Sequence, residues 1–301
     1  MATQQDFERF EEYAVEAREA VDERISEILH RQEEFASKRR LLAHSTEGGK
    51  RLRPIMSVLV SDVYDSPFDK SLNHAAIVEF IHNASLIADD RYDEDAMRRG
   101  SPTFHKILDK LPFGKKGHKA VTGMSVMGAN GLVALAIEVA EDPDVMGALG
   151  KGLRGLIDGF FLEGTTVFDG VFGGGYDRYI EVNKAKTGAL FALAAWMPAT
   201  YVDAGDEQIH AARKYGESVG ILYQIADDIA DDDLPSYIQD SDEELEKWYD
   251  TAVSYVSEMP DGENADLLRI APAWMVHKMF EQEDMLDEVD AAFLPDPKAE
   301  A

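Results

Sequence analysis

Two runs of carboxylates carry the first chemistry in this sequence. Asp89-Asp90-Arg91-Tyr92-Asp93, backed by Glu94 and Asp95, follows an apolar approach through Ile81 and Leu86-Ile87-Ala88. On a helix Asp89 and Asp93 share a face one turn apart. Two carboxylates at that separation repel unless a cation lies between them. The pair therefore suits Mg2+, with coordination positions left over for water and a phosphate. The spacing returns at Gln224-Ile225-Ala226-Asp227-Asp228-Ile229-Ala230-Asp231. There Asp227 and Asp231 share a face, Asp228 stands beside them, and Val219–Tyr223 is the apolar approach.

Either run alone also reads as a solvated acidic helix end, because the chain has 58 acids against 30 bases and a net charge of −28. The bases ordered around the runs shift that balance. Gly48-Gly49-Lys50-Arg51-Leu52-Arg53-Pro54 sets three bases at a helix start, where the dipole also favours an anion. Arg98-Arg99-Gly100 offers guanidinium forks that match phosphate oxygens. Lys186-Thr187 precedes an apolar run. His82 lies two turns before Asp89 on the same face, although a lone histidine is more often a structural residue.

Composition narrows the classes. No cysteine is present, so thiolate metal sites and disulfides are excluded and any metal rests on oxygen or imidazole. The acidic balance argues against nucleic acid as a partner, since phosphate backbones require a basic surface. Two uncharged stretches, Ala120–Ile137 and Thr187–Val202, read as buried core helices, so no integral membrane protein is expected. The polar start shows no signal peptide.

The positioning elements are helices. Three- and four-residue spacing of apolar positions predicts Phe7–Leu42, a helix opening near Pro54, Leu72–Asp95, Ala120–Val139, Val145–Phe161, Tyr176–Tyr201, Asp206–Asp231 and Ala265–Ala292. Gly170–Gly175 reads as a loop, and Ser241–Glu244 as a capping box. No run asks to be a strand. The fold class expected is all-α, a single-domain helical bundle over residues 1–301, with 295–301 as a disordered tail.

Taken in order, Gly48–Pro54, Glu79–His82, Asp89–Asp93 with Arg98-Arg99-Gly100, Lys186-Thr187 and Gln224–Asp231 resemble the trans-prenyl diphosphate synthases, the family of farnesyl and geranylgeranyl diphosphate synthases. The resemblance spans roughly the central 60% of the chain. It implies the isoprenoid synthase type of bundle around a central cavity, a cytoplasmic homodimer with a heteromer as the alternative, and up to three Mg2+ ions with Mn2+ as a substitute. It makes Asp89, Asp93, Asp227 and Asp231 the metal ligands. Asp89, Asp90, Asp93, Lys186, Asp227 and Asp228 become the catalytic set. Arg98, Lys186, Thr187 and Gln224 would contact the allylic diphosphate, and Lys50, Arg53, His82 and Arg99 isopentenyl diphosphate. Phe80, Ala84 and Ser85 would line the pocket that sets chain length; the small Ala84 and Ser85 imply a C20 product.

Three departures stand out. Where the family commonly carries basic residues after the second aspartate run, this chain has no lysine, arginine or glycine between Asp228 and Lys247. A usual Gly-Asp reads Gly123-Met124, and a usual Gly-Gln reads Glu163-Gly164. They support an alternative, a weakly active or non-catalytic subunit. A class I terpene cyclase is a further alternative, which the Lys50–Arg53 cluster and the second Asp-Asp run disfavour. The charge balance fits a high-salt habitat, such as that of a halophilic archaeon, in which screening quenches self-repulsion. The helical circular-dichroism signal should then fall when salt is withdrawn; an unchanged spectrum in low salt would refute this.

Overall fold

The first helix, α1 (Gln4–His30), begins on a reciprocal cap. The Asp6 N–H donates to Thr3 Oγ1 and the Thr3 N–H to Asp6 Oδ2, which satisfies donors a helix start leaves free. Its stripe of Phe7, Phe10, Ala14, Ala17, Val21 and Ile25 is buried at three- and four-residue spacing. The computed structural model describes residues 3–32, 36–112, 117–168, 175–283, 285 and 293–294. Phe7–Leu42, expected as one helix, divides into α1 and α2 (Ala36–Thr46).

The chain continues through α3 (Leu52–Val63), α4 (Phe68–Asp93), a hairpin of β1 (Met97–Arg98) and β2 (Ser101–Pro102), and α5 (Phe104–Asp109). Then follow α6 (Gly117–Val139), α7 (Pro143–Phe168), α8 (Gly175–Asn183), a π turn (Lys184–Gly188), α9 (Ala189–Tyr201), α10 (Asp206–Ala230), α11 (Ser241–Val256) and α12 (Glu263–Gln282). The hairpin corrects the expectation of no strand. Its strands pair antiparallel, Met97 opposite Pro102 and Arg98 opposite Ser101, and two-residue strands are too short for any alternating pattern. The last helix ends at Gln282; residues 286–292, 295–301 and 170–174, which the sequence assigned to a helix, a tail and a loop, lie outside the described residues. The cap of α11 is Asp240, whose Oδ1 accepts the Glu243 N–H at 3.0 Å, rather than Ser241.

Helix α9 sits at the centre. Leu190–Ala195 and Met197–Ala199 are all buried, because α3, α4, α7 and α10 surround it. Thr187–Val202 is thus a core segment, as expected. Ala120–Ile137 is not. On α6, Val121, Ser125, Leu132, Leu135 and Ala136 face inward, whereas Met124, Val126, Met127 and Ile137 are exposed. Only 28% of its most apolar window is buried, and it is the one described helix long and apolar enough to cross a membrane.

Contact of α10 with α9 and the π turn is close enough to exclude side chains. A Cβ on Gly216 would overlap the Phe191 carbonyl oxygen, and one on Gly220 would stand 2.6 Å from Gly188 Cα. Both obstacles are backbone, which cannot rotate away. Alanine gains about 1 kcal/mol of helix propensity over glycine, but overpacking against a core costs about 1–3 kcal/mol, and here it forces two helices apart. Gly216→Ala should therefore lower the midpoint of urea unfolding despite its propensity; an unchanged or raised midpoint would refute the close contact.

Candidate active site

Helix α4 delivers the first acidic run at its C-terminal end. The rod is buried along Leu72 and His74–Ile81, and it stops where Glu94 enters the left-handed region at φ 61° and the Asp95 N–H turns back to the Asp90 carbonyl. Asp89 is half-buried and Asp93 exposed on one face, while Asp90 points inward and is buried. Asp90 Oδ1 accepts Arg98 Nε at 2.5 Å, and Arg98 Nη2 lies 3.6 Å from Asp95. The hairpin thus aims Arg98, and Asp90 holds it. Burial, then the charges of Asp89 and Asp95, push the Asp93 carboxyl up; Lys186 and Arg98 oppose this.

Helix α10 delivers the second run. Burial and the neighbouring Asp231 and Asp228 push the Asp227 carboxyl above its ordinary range, with Lys50 and Arg53 opposing. Asp231 closes the helix, Asp232 follows in the left-handed region at φ 57°, and the Asp233 N–H donates to the Asp228 carbonyl at 2.8 Å. Asp228 accepts from Gln224 Nε2 at 2.8 Å and from the Tyr179 hydroxyl, while Thr187 Oγ1 donates to Gln224 Oε1 at 2.6 Å.

The Gly48–Arg53 segment works because its three bases go different ways. Gly48, Gly49 and Arg51 all have positive φ (72°, 92° and 53°). A Cβ on Gly49 would lie 2.6 Å from Arg99 Cζ, so glycine makes room for that guanidinium, whose Nη1 donates to the Gly48 carbonyl at 3.1 Å. Arg51 turns into the core. It donates from Nε to Asp22 at 2.7 Å, from Nη1 to the buried Glu79 at 2.5 Å, and from Nη2 to the Thr46 carbonyl at 2.5 Å. Asn83 Nδ2 also donates to Glu79. Lys50 and Arg53 are left facing the acids. The Arg53 guanidinium lies 4.5 Å from the Phe191 ring centre, a cation–π contact, and its buried Nε has no partner.

His82 stands among these arginines. Burial, then Arg53, Arg99, Arg98 and Arg51, hold its pKa well below the usual imidazole range, so the ring is neutral at pH 7. Lys186 reaches the first acidic run from the opposite side, where the π turn widens the helix; such turns cluster at functional sites. Burial alone would lower its pKa, but Glu163, Asp89 and Asp93 outweigh that, and Nζ donates to Glu163 Oε1 at 2.8 Å. Phe80 is fully buried and Ala84 nearly so, while Ser85 Oγ donates to the His82 carbonyl at 2.7 Å.

The sequence-predicted residues therefore form two neighbourhoods, each with its own bases. Lys186 and Arg98 act on the first acidic run, and Lys50 and Arg53 on the second. Sequence reasoning missed Arg51, Glu79 and Asp22 as the anchor of the glycine loop, Glu163 as the Lys186 partner, and Tyr179 at Asp228. Only Glu163 left a signal, as an acid where the family resemblance leads one to expect glycine. A cation fits the donor set, which is all oxygen and mutually repelling. Among the described residues no three acidic or histidine side chains form a ready-made cage.

Solved structures of similar shape share this helical fold. A decaprenyl diphosphate synthase from Rhodobacter capsulatus superimposes with a TM-score of 0.76 at 23% identity, covering 91% of this chain and 99% of that one. A polyprenyl synthase from Caulobacter crescentus, solved with calcium and isoprenyl diphosphate, gives 0.75 at 21% identity, covering 90% and 97%. In sequence, the chain is 30% identical over 214 residues to a geranylgeranyl pyrophosphate synthase of Geoglobus acetivorans; the match takes in 70% of this chain and 64% of that relative, less than two thirds of its length. The polyprenyl synthetase profile matches residues 37–242, more than half of the sequence, and the chain belongs to that family.

Proposed function

We propose that this chain is a trans-prenyl diphosphate synthase, which joins isopentenyl diphosphate to an allylic prenyl diphosphate and releases a longer all-trans product, with C20 as the main length. The observation that carries this reading is electrostatic. Within each of two carboxylate runs at helix ends, burial and neighbouring aspartates raise the proton affinity, and bases from three other elements face the runs. Such a site is unbalanced when empty and balanced when it holds divalent cations and a diphosphate.

In this reading Asp89 and Asp93 would hold Mg2+ on one side and Asp227 and Asp231 on the other, as oxygen ligands suited to a hard cation. Bound Mg2+ supplies Lewis-acid stabilisation of the departing diphosphate. Lys186 and Arg98 contribute fixed positive charge at the same leaving group. The allylic C–O bond breaks with its electron pair going to the diphosphate; the isopentenyl double bond then forms the new C–C bond, and a proton is lost to the released diphosphate. Lys50, Arg53, Arg99 and neutral His82 hold the isopentenyl diphosphate beside the allylic carbon, which makes the step effectively unimolecular. The exposed apolar residues Met124, Val126, Met127 and Ile137 of α6 we assign to contact with a second copy of the chain in a cytoplasmic homodimer.

One observation favours a second reading, a subunit inactive by itself. The first base after the second run is Lys247, and it is engaged by Tyr176 and Glu244. Incubating the purified chain with Mg2+, both diphosphates and graded salt separates the two. The expected outcome is a longer prenyl diphosphate, and Asp89→Asn should lower kcat at least about 100-fold, the scale of losing a group that stabilises developing charge. An inert chain that activates a related subunit would establish the second reading, and hydrocarbon from the allylic diphosphate alone would point to a cyclase. Full activity in the Asp89→Asn protein would overturn the metal assignment.

Phe80 lies one turn before Ala84, and in this reading the small Ala84 side chain stands at the floor of the chain-length pocket. Ala84→Phe should shorten the product by at least one five-carbon unit, read by chromatography of the dephosphorylated alcohols. An unchanged distribution would remove Ala84 from the pocket floor.

A further inference from the structure

Two tyrosines one turn apart on α8 hold different things. The Tyr176 hydroxyl donates to Glu244 Oε2 at 2.8 Å and accepts from Lys247 Nζ at 2.5 Å and Trp248 Nε1 at 3.3 Å, which fastens α8 to α11. The Tyr179 hydroxyl donates instead to Asp228 Oδ2 on α10. The other oxygen, Oδ1, accepts from Gln224 Nε2, and Gln224 Oε1 accepts from Thr187 Oγ1. Three elements are thereby joined in one hydrogen-bonded chain that ends at two residues of the site.

Its direction is dictated by the groups themselves. An ionised carboxylate only accepts, so Tyr179 and Gln224 must both donate to Asp228. With its amide nitrogen committed there, Gln224 turns its oxygen to Thr187, and the single Thr187 proton is used on it. What remains free for a bound diphosphate is the second Gln224 N–H, while Thr187 has only lone pairs to offer. Both Asp228 oxygens are meanwhile hydrogen-bonded, which fixes the orientation of that carboxylate beside the Asp227–Asp231 pair.

We propose that Tyr179 is a positioning residue of this site: its hydroxyl fixes the Asp228 carboxylate, and through it the donor that Gln224 presents to the allylic diphosphate. Without the hydroxyl, Asp228 can rotate toward Asp227 and Asp231, Gln224 can flip, and the cation-binding end of α10 gains a third unfixed carboxylate. The proposal rests on the prenyl-transfer reading for its kinetic arm only.

The test compares Tyr179→Phe with Tyr176→Phe, each of which keeps the ring and removes one hydroxyl from the same helix. Tyr179→Phe should raise KM for the allylic diphosphate roughly tenfold, the scale of a lost hydrogen bond to a charged group, with KM for isopentenyl diphosphate unchanged. Mn2+ affinity in the presence of inorganic diphosphate, followed by electron paramagnetic resonance, should shift as well. Tyr176→Phe should lower Tm and leave both KM values and Mn2+ affinity as in the parent chain. The proposal is overturned if Tyr179→Phe leaves the allylic KM and Mn2+ affinity unaltered, or if Tyr176→Phe moves them equally. Should the parent chain fail to condense the substrates, the prenyl-transfer reading falls and the Mn2+ comparison alone decides the role of Tyr179.

Discussion

A helix C-terminus carries partial negative charge, and bases there stabilise the helix while acids do the reverse. Helices α4 and α10 both end on aspartates: Asp89, Asp90 and Asp93 on one, Asp227, Asp228 and Asp231 on the other. Each run therefore works against its own dipole, against its neighbours and against partial burial. The opposing charge must come from elsewhere in the chain, which has about half as many bases as acids. Much of the local architecture answers that need. The glycine loop brings Lys50 and Arg53, the hairpin brings Arg98 and Arg99, and the π turn brings Lys186.

Those bases require holding in turn, because a long cationic side chain is mobile and its burial is unfavourable unless paired. Arg51 is the anchor for one side. With Asp22, Glu79 and the Thr46 carbonyl all on its guanidinium, it fixes the loop in left-handed conformations that would otherwise be strained. Removing Glu79 would leave the buried Arg51 guanidinium with the half-exposed Asp22 as its remaining ionic partner and loosen the loop, so its effect would reach Lys50 and Arg53 without any contact to them. Arg99 is held by backbone carbonyls at the same loop, and His82 stays neutral because burial first, and then the surrounding arginines, disfavour another proton.

The helical fold and the paired aspartates were legible because they are local: periods of three to four residues and an i,i+4 spacing need no knowledge of the rest of the chain. The order of Lys50, Arg53, Arg98, Arg99 and Lys186 around them carried the resemblance that the family match supports. Long-range partners were not legible. Nothing near Arg51 distinguishes it from Lys50 or Arg53, since its partners lie 28 and 29 residues away, and Tyr179 meets Asp228 across 49 residues. The exposed face of α6 was misread for a related reason. An apolar run reports what can be buried, not whether this chain or another covers it.

The segment after Asp231 shows how far the charge argument extends. Asp232 and Asp233 continue the acidic run, and no base follows until Lys247, which Tyr176 and Glu244 engage. Nearby, Tyr179 and Tyr237 are aromatic, and neutral at physiological pH because burial raises both hydroxyls further. This side of the site supplies hydrogen bonds and shape where the other side supplies charge. A diphosphate bound between them would take its fixed positive charge from the loop, the hairpin and the π turn. At the end of α10 Lys50 and Arg53 oppose the charge of Asp227, while Asp228 is met by the neutral Tyr179 and Gln224, so ionic conditions should act on Asp228 before Asp90, which Arg98 pairs directly.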